Sequence, residues 1–476
     1  MKKAQVVFIP FPVPSHLVST LEFAKLLINH DNRLRITILL IKFPHTTETD
    51  VYTKSLPISD SLNFINLPEC SLPPDTKPNL AMHALIEAQK PNIKQTVSDL
   101  TAGEGQHGHL AAFVVDMFCT NMIDIAKEFS VPTLVFSTSG VASLGLNLHL
   151  HTLREKVDLN QLLKHTEFSI PSFANSVPSY SLPGSVLNKE WEMFFMSYCR
   201  GLKNADGIIV NSFEELESYA VQSFYSHPEL ASLPIIYPVG PILNPEPKTK
   251  GTVDSDDIIK WLDDQPPSSV VFLCFGSMGS FDEDQVKEIA HAVENSGARF
   301  VWALRKPKPK GVMPAPTDYP LSELLSILPE GFLDRTAEIG KVIGWAPQTQ
   351  ILAHPAMGGF VSHCGWNSTL ESIYFGVPIA TWPLFAEQQT NAFELVHELK
   401  IGVEIALDYK VDFNGGPNYL VTADKIEKGI TNVLDTDGEV RKNMKEMSEK
   451  SKKTLSEGGS SYTYLGRLID YIMNQV

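Results

Sequence analysis

A chain of 476 residues, 43% hydrophobic and 20% charged, has the composition of an ordinary soluble globular protein and is long enough for roughly two or three domains. Its formal charge of −16 argues against a nucleic-acid surface, because neutralising phosphates needs clustered Lys and Arg, and the one small basic run, Arg305 to Lys310, is interleaved with proline. The five cysteines, Cys70, Cys119, Cys199, Cys274 and Cys364, are odd in number and lack C-x-x-C spacing, which fits buried free thiols in a reducing compartment.

The chain opens MKKAQVVFIP, and two lysines ahead of an apolar run raise the question of a secretory signal. Pro10, Pro12 and Pro14 cut that run short and no small-x-small cleavage site follows. The stretch reads instead as a strand, Val6 to Ile9, a turn, FPVPSH, and a helix, Leu17 to Asn29, with Leu17, Leu21, Ala24 and Ile28 on one face. Further β-rich runs follow at Arg35 to Ile41, Leu110 to Val115, Pro132 to Phe136 and Gly207 to Val210. Helical segments between them indicate parallel α/β units. The uncharged stretch Val131 to Thr152 carries Ser137, Thr138, Ser139, Asn147 and His149 and reads as a buried strand plus helix, not a membrane span.

Proline and polar residues cluster from Tyr237 to Thr252, and the alternation restarts at Ser269 to Cys274. The expectation is an N-terminal domain over 1–242, a linker over 243–257, a second domain over 258–456 and a C-terminal helix over 457–476. The second domain repeats the pattern with Phe300 to Leu304, Gly340 to Ile343, Gly358 to Ser362 and Pro378 to Thr381, and Lys306 to Pro320 reads as a surface loop. In the last segment, Leu465, Leu468, Ile469 and Ile472 form one apolar helical face with a domain surface to bury against.

The most informative stretch is the 44 residues from Trp345 to Gln388, which hold two strand-to-helix junctions. In parallel sheets such junctions share the carboxyl edge where ligands bind. At the second junction, HCGWNS turns into a helix expected to start near Thr369. Gly365 would permit the turn, and the free N–H groups near Asn367 and Ser368 would offer an anion site suited to a pyrophosphate. Asn367 or Ser368 could also be a plain N-cap. A cap does not need His363 and Trp366 beside it, Glu371 one turn on, or Trp345 at the preceding junction. An indole can stack on a base, Glu371 can accept from ribose hydroxyls, and Glu387 with Gln388 suits sugar hydroxyls. Together these describe a nucleotide-sugar site.

This segment closely resembles the signature of plant family-1 UDP-sugar-dependent secondary-product glycosyltransferases, matching in length, order and nearly all defining positions. The resemblance runs through the whole chain: P-x-P-x-x-x-H near the start, ADGIIVNSFEELE (Ala205 to Glu217), YPVGP (Tyr237 to Pro241), WLDDQPPSSVVFLCFGS (Trp261 to Ser277), and GGSS (Gly458 to Ser461) before the last helix. It implies a GT-B fold: two Rossmann-like domains with parallel sheets facing a cleft, the last helix returning toward the first domain, acceptor held mainly by the first and UDP-sugar by the second. Carried over by position, Trp345 would stack on uracil beside Ala346 and Gln348, and Glu371 would hold the ribose. His363, Asn367, Ser368 and the Ser277 loop would hold the diphosphate. Trp366, Glu387, Gln388 and, from the first domain, Thr138 would contact the sugar. The resemblance links a terminal Gln such as Gln388 with UDP-glucose.

Transfer to a hydroxyl needs a base, and His16 and Asp116 lie at carboxyl ends of strands that one sheet can bring together. Asp116 would orient the ring, the role the resemblance assigns to this pair. The reaction implied is direct inverting displacement giving a β-O-glucoside of a small hydrophobic phenolic, flavonoid or terpenoid, with no metal and no cofactor beyond the UDP-glucose co-substrate. The D-x-D pairs Asp254–Asp256 and Asp435–Asp437 read as solvated acidic turns, no G-x-S-x-G elbow marks a hydrolase, and no G-x-G-x-x-G follows the first strand. Another UDP-sugar donor, or a weakly catalytic nucleotide-sugar-binding protein, remains the alternative. The acceptor pocket is expected near Phe11 to Pro14, Ala81 to Gln89, Phe118 to Met122, Trp191 to Tyr198 and Phe385. A cytoplasmic monomer without a membrane span completes the expectation. Where the family usually has Gly before the histidine, this chain has Ser15, preceded by Pro14. That substitution would strain the turn if it requires φ > 0.

Overall fold

Seven short apolar runs pair side by side in the N-terminal half. The computed structural model describes residues 3–42, 59–72, 76, 80–102, 108–162, 164–187, 189–243, 253–307, 316–411 and 419–476. The runs are β1 (Ala4–Ile9), β2 (Leu34–Leu40), β3 (Leu62–Asn66), β4 (His109–Asp116), β5 (Thr133–Ser137), β6 (Gly207–Val210) and β7 (Ile236–Pro238), in the order β3-β2-β1-β4-β5-β6-β7. Every pairing is parallel. Such a sheet is buried on both faces, which is why β1 and β4 read as continuous apolar runs without alternation.

The second sheet comprises β8 (Val270–Cys274), β9 (Arg299–Ala303), β10 (Gly340–Ile343), β11 (Met357–Ser362), β12 (Ile379–Thr381) and β13 (Gly402–Glu404), ordered β10-β9-β8-β11-β12-β13 and again all parallel. The order reverses between β1 and β4 in one sheet and between β8 and β11 in the other. At each reversal the connecting helices diverge to opposite faces and leave a crevice at the carboxyl ends.

Five helices position what lies there: α1 (Pro14–His30), α2 (Val141–Arg154), α3 (Trp366–Phe375), α4 (Gln388–Phe393) and α5 (Ser460–Met473). The apolar face of α5 returns to the first sheet: Leu465, Leu468, Ile469 and Ile472 are buried with Val6, Phe8, Ile36 and Val114. Ser461 Oγ fastens its first turn to the Gly240 carbonyl at 2.6 Å.

Several sequence expectations change. The α1 helix begins three residues before the expected Leu17, with Pro14 in its first turn, where a fixed φ and a missing N–H cost nothing. Ser15 is therefore helical, is absent from the left-handed region, and carries no strain. The α3 helix begins at Trp366, not near Thr369, with Gly365 as its cap residue, so neither Asn367 nor Ser368 is an N-cap. A helix over Val253–Asp263 begins within the stretch expected to be linker and takes Asp254–Asp256 out of a turn, while 244–252 lie outside the described residues. Around the proline-rich loop, Arg305–Lys306 pairs antiparallel with Thr317–Asp318, and 308–315 lie outside the described residues.

Because Leu468 is wholly buried against the first sheet, Leu468→Ala should cost about 2–5 kcal/mol. Hydrogen exchange should show lost protection in β1–β7 and little change in β8–β13.

Candidate functional site

The carboxyl end of β1 passes through a proline-rich turn into α1, placing His16 in the first helical turn. Beside β1, β4 ends on Asp116, with Ile9 opposite Val115 in the register. The sheet thus closes a separation of 100 residues, and His16 Nδ1 lies 2.7 Å from Asp116 Oδ2. The other carboxylate oxygen accepts the Phe118 N–H at 2.9 Å, capping the short helix after β4 and fixing the carboxylate plane. That geometry makes Nδ1 the protonated ring nitrogen and leaves Nε2 with its lone pair free. Burial lowers the His16 pKa, but the charge and hydrogen bond of Asp116 outweigh it, helped by Glu387, and the net shift is upward. The ring forms a triangle with Phe11 and Phe118, whose centroids are 5.4 and 5.3 Å away, and Thr138 Oγ1 lies 3.4 Å from Nδ1.

From this pair an aromatic line runs outward, Phe11 to Phe118 to Phe194 at 5.2 and 5.3 Å, and on to a partly exposed Trp191. Its members fall in three of the regions expected to line an acceptor pocket. His83, from a fourth, meets Phe194 edge-on.

In the second unit, β11 runs into the turn 363–365 and then α3. The left-handed residue of that turn is Cys364 (φ 62°), not Gly365, which is extended. Ser362 Oγ accepts the Cys364 N–H at 3.1 Å, and Asn391 Nδ2 donates to the Cys364 carbonyl at 2.9 Å, holding a conformation that costs a non-glycine residue about 1–2 kcal/mol. Glycine is needed at 365 for a different reason. A Cβ there would stand 2.5 Å from His363 Nε2, and one on Gly276, after β8, would stand 2.6 Å from it. Two glycines therefore make room for the His363 ring beside Ser277.

His363 is buried, and burial brings its pKa down to about 4. It is a neutral ring whose Nδ1 has no partner among the described residues. The backbone N–H groups of the first turn of α3 and the helix dipole supply the positive potential instead. One turn in, Gln348 Nε2 donates to Ser368 Oγ (2.9 Å) and Glu371 Oε2 (2.7 Å), so Gln348, Ser368 and Glu371 form one polar group. Trp345 is 55% exposed, with its indole open to a stacking partner, and Ala346 is half-buried beside it.

Glu387 and Gln388 lie at the start of α4. Gln388 Oε1 accepts from the Leu384 and Phe385 N–H groups at 2.9 and 3.0 Å, which fixes the amide orientation and directs its NH2 away from that turn. Burial raises the Glu387 pKa, offset in part by its own backbone N–H and by His16, whose charge it feels from the facing unit.

The two halves meet directly. Asn367 Nδ2 donates to the Ser15 carbonyl (3.4 Å) and Asn367 Oδ1 accepts from Ser19 Oγ (3.3 Å), linking α3 to the helix that carries His16. The indole of Trp366 is buried in the seam, with Nε1 donating to the Asn211 carbonyl at 2.6 Å. What Trp366 can offer a ligand is therefore its backbone N–H. Sequence reasoning missed Ser19 and Asn211. Ser19 lies one turn beyond His16, but α1 also carries Thr20, Glu22, Lys25 and Asn29, so no local pattern marks it out.

A family model described as "UDP-glucoronosyl and UDP-glucosyl transferase" matches residues 254–410. The UDP-glucose flavonoid 3-O-glucosyltransferase 6 of Fragaria ananassa is 50% identical over 488 residues, spanning 99% of each chain. A glycosyltransferase of Siraitia grosvenorii solved with UDP has 45% identity and a TM-score of 0.87, covering 99% of this chain and 100% of that one. The Medicago truncatula enzyme UGT71G1, solved with UDP-glucose, has 40% identity and a TM-score of 0.86, covering 99% and 98%. The two-sheet GT-B architecture that the resemblance implies is present.

In an NMR titration of the imidazole nitrogens, His16 should titrate above the ordinary value of about 6.5, and its midpoint should fall in Asp116→Asn, which removes the charge that raises it. His363 should stay neutral down to a midpoint of about 4.

Proposed function

The chain belongs to the plant family-1 UDP-glycosyltransferases, and from that premise we propose that it transfers glucose from UDP-glucose to a hydroxyl of a small hydrophobic plant metabolite, with inversion and without a metal. The observation that carries the reading is the 2.7 Å His16–Asp116 pair in a first-domain crevice, facing Glu387 of the unit that holds the α3 helix terminus.

His16 Nε2 takes the acceptor hydroxyl proton as the oxygen attacks C1 of the sugar. The C1–O bond to the β-phosphate breaks, its electron pair leaves with UDP, and Asp116 stabilises the imidazolium. Attack opposite the leaving group turns an α-linked donor into a β-glucoside. Charge developing on the diphosphate meets the first-turn N–H groups of α3, with Asn367, Ser368, the neutral His363 and the Ser277 loop as donors. Trp345 stacks on uracil beside Ala346 and Gln348, and Glu371, already oriented by Gln348, accepts from the ribose. Glu387 and the Gln388 amide hold the glucose hydroxyls, with Thr138 closing from the first domain and Trp366 contributing its backbone.

Metal independence rests on these dipoles and on the position of Asp435–Asp437. That turn lies by the amino end of β11, where Arg441 reaches the Gly358 carbonyl, on the edge opposite the site. Among phenolic, flavonoid and terpenoid acceptors, the aromatic line from Phe11 to Trp191 favours flat aromatic rings, and the Fragaria relative is named for a flavonoid. Among the described residues no helix is long and apolar enough to cross a membrane. A cytosolic monomer drawing on the UDP-sugar pool is part of the same proposal.

With UDP-glucose and a phenolic acceptor, His16→Ala should lower kcat about 10²- to 10⁴-fold. EDTA should leave the rate unchanged, and proton NMR of the product should show the β anomer. UDP release abolished by EDTA would overturn the metal-free route, and an unaffected His16→Ala would overturn the base. Since the base works only when neutral, kcat/KM should rise with pH through the raised His16 pKa, above about 6.5.

A further inference from the structure

Away from the reacting centre, two buried carboxyl groups meet across the seam. Glu217, at the end of the stretch running from Ala205, is 3% exposed, and its carboxylate accepts from the N–H groups of Val141 (2.9 Å) and Ala142 (2.6 Å) and from Ser212 Oγ. It serves as the cap of α2, because the cap position itself is Gly140 and has no side chain to accept from those groups. Glu394, also 3% exposed, follows α4 in a single π-helical turn of the other unit; its carboxyl lies against that of Glu217, and its Oε2 is buried with no donor within reach among the described residues.

Two carboxylates in contact and out of water cannot both be ionised, and a hydrogen bond between them requires a proton on one. Glu217 already receives three donors and the positive end of α2, which favour its charged form. The groups acting on Glu394 are acidic: Glu217 itself and Glu398, whose carboxylate is engaged with the N–H groups of Ala174 and Asn175 and the Asn175 side chain. His397, on the same turn, lies against Phe393. Burial and both neighbours push the Glu394 carboxyl far above the ordinary carboxyl range, so it takes the proton.

The elements joined by this contact are those that build the sugar subsite. Glu217 holds the helix that follows Thr138, and Glu394 follows the helix that starts at Gln388. We propose that Glu394 is a positioning residue: its protonated carboxyl donates to the Glu217 carboxylate and fixes the Glu387–Gln388 turn of one domain against the Thr138 turn of the other. The subsite role rests on the proposed function; the shared proton does not.

A carboxyl whose pKa is raised on folding stabilises fully below its unfolded value, and that stabilisation is lost as pH rises through its folded value. Glu394→Gln supplies an amide N–H donor at every pH, whereas Glu394→Ala supplies none. Three measurements decide the matter. The melting temperature of the wild type should fall relative to Glu394→Gln as pH rises. KM for UDP-glucose should rise by about 3- to 10-fold over the same range in the wild type and stay flat in Glu394→Gln, with Glu394→Ala high throughout. The infrared spectrum of the wild type in D2O at neutral pH, with glutamate carboxyls isotope-labelled, should show a protonated-carboxyl band, a readout that needs no variant to fold.

Parallel melting curves for wild type and Glu394→Gln, or no such band, would overturn the shared proton. A pH-dependent melting difference without a KM change would overturn the positioning role. Absence of any turnover of UDP-glucose would defeat the proposed function instead, and the melting and infrared measurements would still decide the proton.

Discussion

Everything in this molecule follows from how a parallel sheet must be closed. Each strand ends at the same edge, β1, β5 and β11 turn there directly into a helix, and where the strand order reverses the helices part to opposite faces. That edge is uncovered, rich in free N–H groups, and built twice in this chain. His16 and Asp116 sit at the reversal in the first sheet, Ser277 and His363 at the reversal in the second. Chain order is irrelevant to the convergence; only the register of β1 with β4 and of β8 with β11 matters.

Bringing two such edges together creates a seam that is polar at its working face, because both edges consist of turns and helix termini. The seam is therefore held by directed bonds between side chains and backbone. Trp366 reaches Asn211, Thr390 reaches the Ser181 carbonyl at 2.7 Å, Lys410 reaches the Leu182 carbonyl at 3.1 Å, and Glu398 takes the N–H groups of Ala174 and Asn175. The Trp366 and Thr390 bonds are buried and would be costly to leave unmade, and the Lys410 and Glu398 bonds add direction nearer the surface, so the relative placement of the units is specified bond by bond. Phe173 against Phe393 adds an apolar contact to this frame.

Much of this was legible in the sequence. Strand positions could be read because doubly buried strands are uninterrupted apolar runs, and the edge residues because motif spacing places them at strand ends. The amphipathic stripe of the last helix showed that it had a face to bury but not where. The features that escaped reading depend on how side chains are placed in space, which a linear pattern does not give. Nothing local says that Cys364 adopts the left-handed conformation, since Ser362 and Asn391 hold it there, or that Gly365 is present to clear the ring of His363. The indole of Trp366 and the carboxyls of Glu217 and Glu394 could not be placed either, because Trp366 and Glu394 meet groups of the other domain and Glu217 caps a helix that begins 76 residues earlier in the chain.

The turn beneath His16 has a further consequence, in the disorder of the unfolded chain. Pro10 and Pro12 stand in the four residues that join β1 to α1 and Pro14 opens the helix, and each fixes its φ near −65° before any tertiary contact forms. A proline whose native geometry suits it removes about 0.4–1 kcal/mol of conformational freedom that folding would otherwise have to withdraw. The segment that carries the ring has few alternative shapes even when denatured, so its direction out of the sheet is set by covalent geometry first and by packing second.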